Sequence, residues 1–132
     1  MTLKFKSIND MFQDERAKIE FNVPYTQDTF IDKDIEFEVY EFIDPKSKLI
    51  NRFEFSATKV NLIAGVSTLL FELNQKIANE YTIYDGKNKF KAYLHTHLTS
   101  LNITEKHKSF SYTLFDGERK MGNITISLEI LD

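Results

Sequence analysis

Ile35-Glu36-Phe37-Glu38-Val39-Tyr40 alternates apolar and polar residues, and this period of two, repeated along the chain, constrains the fold more than any other feature. A helix would scatter such residues around its cylinder, whereas a strand sets Ile35, Phe37 and Val39 on one side and Glu36 and Glu38 on the other. Met1-Thr2-Leu3-Lys4-Phe5-Lys6 alternates in the same way and predicts a strand over Leu3–Ile8. Ile19, Phe21 and Val23 alternate with Glu20 and Asn22, so a second strand covers Ala17–Val23 and Pro24 ends it. Asp44-Pro45-Lys46-Ser47-Lys48 is a turn, after which Leu49–Ser56 returns antiparallel to the segment that begins at Ile35. Thr82-Ile83-Tyr84 leads through Asp85-Gly86-Lys87-Asn88 into a long strand, Lys89–Leu98, whose core face is Phe90, Ala92, Leu94, Thr96 and Leu98. Ser109–Phe115 and Asn123–Leu131 form a last hairpin around Asp116-Gly117.

Only Gly65–Tyr81 departs from this pattern. Val66, Leu69, Leu70, Leu73, Ile77 and Tyr81 fall on one side of a helical cylinder, and a helix of two to four turns is predicted from Ser67 or Thr68. Gly65, Val66, Ser67 and Thr68 are poor helix formers and Phe71 lies off the stripe, which leaves a strand over Val66–Leu73 as the alternative. The whole reads as one domain over residues 1–132, an all-β or β-dominated antiparallel β-sandwich of about eight strands, with a helix or crossover at 66–81. A closed barrel is the alternative architecture. Phe5, Phe21, Phe37, Val39, Leu94, Ile126 and Leu128 are the expected core.

A chain of 132 residues buries enough surface to fold without a metal or disulfide. It has no cysteine, which removes thiolate nucleophiles and Cys-ligated zinc. The amino-terminal alternation lacks the apolar run of a secretory signal, and no run reaches the roughly twenty apolar residues of a membrane span, so cytoplasmic synthesis and a soluble protein are expected.

His95-Thr96-His97 puts two imidazoles on one strand face at a spacing that a metal can bridge, with Glu105 or His107 as a conceivable third ligand. The same face carries Lys87, Lys89 and Lys91, which repel a cation, so the histidines are read as part of a solvated stripe and no metal or cofactor is assigned. Glu36 with Glu38, and Asp32 with Asp34, are surface carboxylates in this reading. No glycine loop or serine elbow supports phosphate or acyl chemistry, and no catalytic residue is assigned. The basic stripe offers one aromatic, Tyr93, and no arginine, which is thin for nucleic acid.

Ile35–Arg52, with Asp44 and Lys48 in its loop, and Phe115–Leu131 resemble the strand, acidic loop and strand of C2 domains, a likeness that implies calcium-dependent membrane attachment. Neither loop carries the aspartate cluster that holds calcium in such domains. The leading expectation is a non-enzymatic structural or interaction module, a protein-binding building block such as a phage tail, baseplate or capsid-accessory component. A small inhibitor or immunity-type binding protein is the runner-up. Its interaction surface is an acidic set, Glu36, Glu38 and Glu54 with Glu20 beside them, and a basic set, Lys87, Lys89, Lys91 and Tyr93. If they lie on opposite faces, copies can associate head to tail.

Overall fold

Eleven strands in two antiparallel sheets make up the computed structural model, which describes the backbone of all 132 residues and the side chains of residues 1–80 and 86–132. The strands are β1 (Thr2–Asn9), β2 (Lys18–Pro24), β3 (Thr26–Asp32), β4 (Ile35–Ile43), β5 (Ile50–Phe55), β6 (Lys59–Ala64), β7 (Ser67–Glu72), β8 (Lys76–Asp85), β9 (Asn88–Ile103), β10 (His107–Asp116) and β11 (Arg119–Ile130). A single 3-10 turn, Glu15–Ala17, precedes β2 and is capped by the Asp14 carboxylate, which accepts from the Arg16 backbone N–H. Among the described residues no helix is long and apolar enough to cross a membrane.

The expected β-sandwich is present, with more strands than the alternation marks. One sheet runs β2-β1-β11-β10-β9-β8 and the other β3-β4-β5-β6-β7, so nearly every strand lies beside its neighbour in sequence. The long-range exception is the ladder of β1 on β11, from Leu3 opposite Ile130 to Asn9 opposite Ile124.

The predicted helix at 66–81 is absent, and the alternative strand over Val66–Leu73 is present as β7, which pairs with β6 before the chain crosses to β8 in the other sheet. Gly65 and Asn74 take positive φ, 62° and 61°, and make the turns that bracket β7. Leu69 and Phe71 then face the core and Leu70 faces out, so Phe71, the residue that spoiled the helical stripe, is the most buried of the segment. β3 was not expected either. All seven of its residues are exposed, and it stands at the edge of its sheet behind a two-residue turn in which Lys33 and Asp34 both have positive φ.

The interior is aromatic. Phe42, Phe53 and Phe55 stack along the inner face of the five-stranded sheet, with centroids 5.8 and 6.1 Å apart, and Phe53 and Phe55 meet Phe110 from the opposite sheet at 6.3 and 6.0 Å. Ile126 and Leu128 are buried here as expected, and Phe5, Phe21 and Leu94 pack against the cluster. Phe37 and Val39 are buried on the other face of β4. The register fixes this, because Tyr40 lies opposite the inward Phe53 and Val39 opposite Glu54. Glu36 and Glu38 are therefore on the inner parity of β4, and the expectation that they form one acidic surface with Glu54 is corrected.

Candidate binding cleft

The two long sides of the sandwich are closed in different ways. Between β7 and β8 a side chain replaces a strand ladder. The Asn79 amide accepts from the Leu70 N–H at 2.7 Å and donates to the Leu70 carbonyl at 3.2 Å and to Thr96 Oγ1 at 3.1 Å, while the Thr96 hydroxyl donates to the same carbonyl at 2.6 Å. On the opposite side the chain passes from sheet to sheet at Tyr25, whose ring lies 5.9 Å from Tyr40 and whose hydroxyl donates to Asp132 at 3.3 Å. β2 is the terminal strand of its sheet, and its outer edge faces the β4–β5 hairpin across an open cleft.

This cleft has a volume of about 440 Å³, within the range of ligand and peptide sites. It is lined by Val23, Pro24 and Tyr25 at the end of β2 and by Thr26, Glu41, Phe42, Ile43 and Ile50 of the five-stranded sheet, where Thr26 pairs with Glu41. Its floor is continuous with the core, since Phe42 lies 6.0 Å from Phe21 and 5.7 Å from Phe5. A more polar depression of about 770 Å³ follows further along β2, where Lys18, Ile19, Glu20 and Phe21 face Asp44, Pro45 and Lys46. Ile19, Ile43, Leu49 and Ile50 are exposed near these openings. The Asp44 carboxylate accepts from the N–H groups of Lys46 and Ser47, and Asp116 pairs with Arg119 at 3.9 Å, so the two C2-like loops spend these carboxylates on their own turns.

A buried charge sits deeper between the sheets. Lys108 is 1 % exposed, donates to the Glu105 carbonyl at 2.6 Å, lies 5.2 Å from the Tyr40 ring and is 4.0 Å from the Glu38 carboxylate. Glu38 in turn accepts from the Tyr40 hydroxyl at 2.9 Å. Burial lowers the pKa of Lys108 against the pull of Glu38 and Glu105, and burial followed by the Glu38 hydrogen bond raises that of Tyr40.

The remaining sequence candidates are dispersed. Lys87, Lys89, Lys91 and Tyr93 are exposed on the β8–β9 hairpin, where Lys91 meets Glu80 at 3.3 Å. Glu54 is 5 % exposed on the outer face of the five-stranded sheet, bonded to Arg52 at 2.7 Å and to Asn61 at 3.0 Å. The Arg52 guanidinium also reaches across β4 to the Phe30 ring at 5.6 Å. His95 and His97 are half-buried on β9, with Lys76 opposite His97 and over the Phe115 ring at 4.4 Å. His107 begins β10, roughly 20 to 26 Å along that strand from the partners of His97 and His95, so it cannot complete a shared site with them. Among the described residues no group of three His, Asp or Glu side chains is placed to hold a metal. The cleft residues escaped sequence reading, although Ile43 and Ile50 on either side of the Asp44 turn were the available signal: apolar residues at a hairpin end with no core to enter.

No family model matches the chain. It is similar to an uncharacterized protein of Mycoplasmopsis pulmonis (strain UAB CTIP), 28% identical over an alignment 130 residues long that covers 87% of this chain and 99% of that one. Among solved structures it resembles the ywiB protein from Bacillus subtilis, with a TM-score of 0.59 and 18% identity, covering 99% of this chain and 91% of that one. That likeness is one of fold.

Proposed function

We propose that the chain is a non-enzymatic protein-binding module, the interaction part of a larger assembly, and that the cleft beside β2 receives an extended segment of its partner. The observation that carries this reading is the outer edge of β2, a terminal strand, lying against an apolar floor. An added strand would take main-chain hydrogen bonds from that edge and set alternate side chains against Val23, Phe21 and Phe42. The reading covers a cellular partner and a particle component such as a phage tail or baseplate protein alike.

Photo-crosslinking in native cells tests it, with a benzophenone side chain at Thr26 or Ile50 in the cleft and, as control, at Glu118 on the β10–β11 turn. A discrete protein adduct from the two cleft positions and not from Glu118 is expected. Equal adducts from all three positions, or none from the cleft, overturn the proposal.

A further inference from the structure

The β8–β9 hairpin outruns its sheet. β10 pairs with β9 only from His95 to Ile103, whereas the β8–β9 ladder continues to Asp85 opposite Asn88. From Glu80 and Tyr93 outward the two strands form a ribbon of six residue pairs, on the order of 15 to 20 Å long. The ribbon carries Lys87 in its turn and Lys89 and Lys91 on β9 against Glu80 and Asp85 on β8, a net positive charge, and it exposes Phe90 by 46% and Tyr93 by 51%. Phe90 has the parity of the core residues Leu94, Thr96 and Leu98, so its exposure comes from standing beyond the layer that would cover it.

The β3–β4 hairpin is the counterpart. Between Asp28 and Glu38 it has five carboxylates against one lysine, Lys33, and its edge strand exposes Phe30 by 39% and Ile31 by 67%. The two hairpins cannot meet within one molecule. Glu38 on β4 approaches Lys108, which pairs with Ile103, and from Ile103 to Asn88 the chain runs fifteen residues along β9, up to roughly 50 Å. At a screening length of about 8 Å the two charged ends do not neutralise each other inside a single copy.

We propose that the β8–β9 ribbon docks on the β3–β4 hairpin of a second copy of this chain, setting Lys87, Lys89 and Lys91 against Asp32, Asp34 and Glu36 and bringing Phe90 against Phe30 and Ile31. Donor and acceptor surfaces differ, so the contact is heterologous and each docked copy leaves one ribbon and one hairpin open for the next. Both edges are terminal strands, and their opposite charges favour this pairing over ribbon on ribbon or hairpin on hairpin. The contact uses none of the cleft residues, so it stands or falls separately from the binding role of the cleft.

Sedimentation velocity of the full chain over a range of concentrations, at low and at high salt, tests the proposal. Self-association that grows with concentration and is suppressed by salt is expected. Lys87→Glu/Lys91→Glu and Asp32→Lys/Glu36→Lys, all at exposed positions, are each expected to weaken it by roughly tenfold or more, with the circular dichroism of the wild type retained. An equimolar mixture of the two variants restores opposite charge at both contacts and is expected to recover association. A wild type that stays monomeric at low salt, association that survives both reversals, or a mixture that fails to recover it each overturns the proposal.

Discussion

Lys108 carries a charge with almost no surface, and its surroundings state what that costs. Its folded pKa is below the ordinary 10.5, so between the two values the unfolded chain holds more protons and stability rises with pH. The charged ammonium is thus a burden at neutral pH, only partly offset by Glu38, Tyr40 and the Glu105 carbonyl. Lys108→Met, which keeps the volume, is expected to be neutral or to raise the urea midpoint at pH 7, whereas Lys108→Ala should lose about 2 kcal/mol or more through the cavity. Tyr112 has the opposite sign. Burial pushes its phenol up to about 12, so the stability it contributes is complete below pH 10 and is lost as pH rises from 10 through 12. Tyr112→Phe should remove about 2 to 3 kcal/mol of that alkaline loss, read as a flatter fall in denaturation midpoint over this interval. Gly122 matters for space alone. A Cβ there would run into the Met11 side chain and come within 2.6 Å of the Asp10 carboxylate, which holds the Asn123 N–H. Gly122→Ala should therefore destabilise by about 1 to 3 kcal/mol in thermal melts, since Asp10 must release Asn123 to make room.

At the level of strands, the seam between β7 and β8 rests on one amide. Asn79→Ala strips both the N–H and the carbonyl of Leu70 of their Asn79 partner, with an expected loss of about 1 to 3 kcal/mol and faster hydrogen exchange at the Leu70 amide. Leu70 also explains why residues 66–81 misread. Leu69, Leu70 and Leu73 fit a helical stripe because Leu70, apolar yet exposed on the outward side of β7, blurs the alternation of the strand. Strands with one wet face, such as β1, β2 and β11, were legible from their alternation. β4 was legible as a strand but not in its facing, because Val39 and Tyr40 are both buried and no period of two says which belongs to the core. β3 was hidden by its exposure, since an edge strand with seven open residues shows no apolar face. Ile43 and Ile50 marked part of the cleft, but the cleft as a whole was not legible, because it arises where Tyr25 carries the chain between sheets, a tertiary event without local pattern.

The molecule as a whole is a meander bent into two layers and held by an aromatic centre. Phe53, in contact with Phe42, Phe55 and Phe110, joins the layers, and Phe53→Ala should cost about 3 to 5 kcal/mol in urea unfolding while leaving the strand signal of circular dichroism intact below the transition. The two charged hairpins lie outside that centre, so their exposed residues can change without disturbing the interior, whereas the cleft along β2 shares Phe42 with it. The ladder between β1 and β11 gives the molecule an order in time. Neighbouring strands can pair as soon as each hairpin emerges from the ribosome, but β1 precedes its partner β11 by about 120 residues of chain. Until β11 emerges one edge of β1 has no ladder, so the paired β1 and β2 present an open strand edge while β3 to β10 are being made.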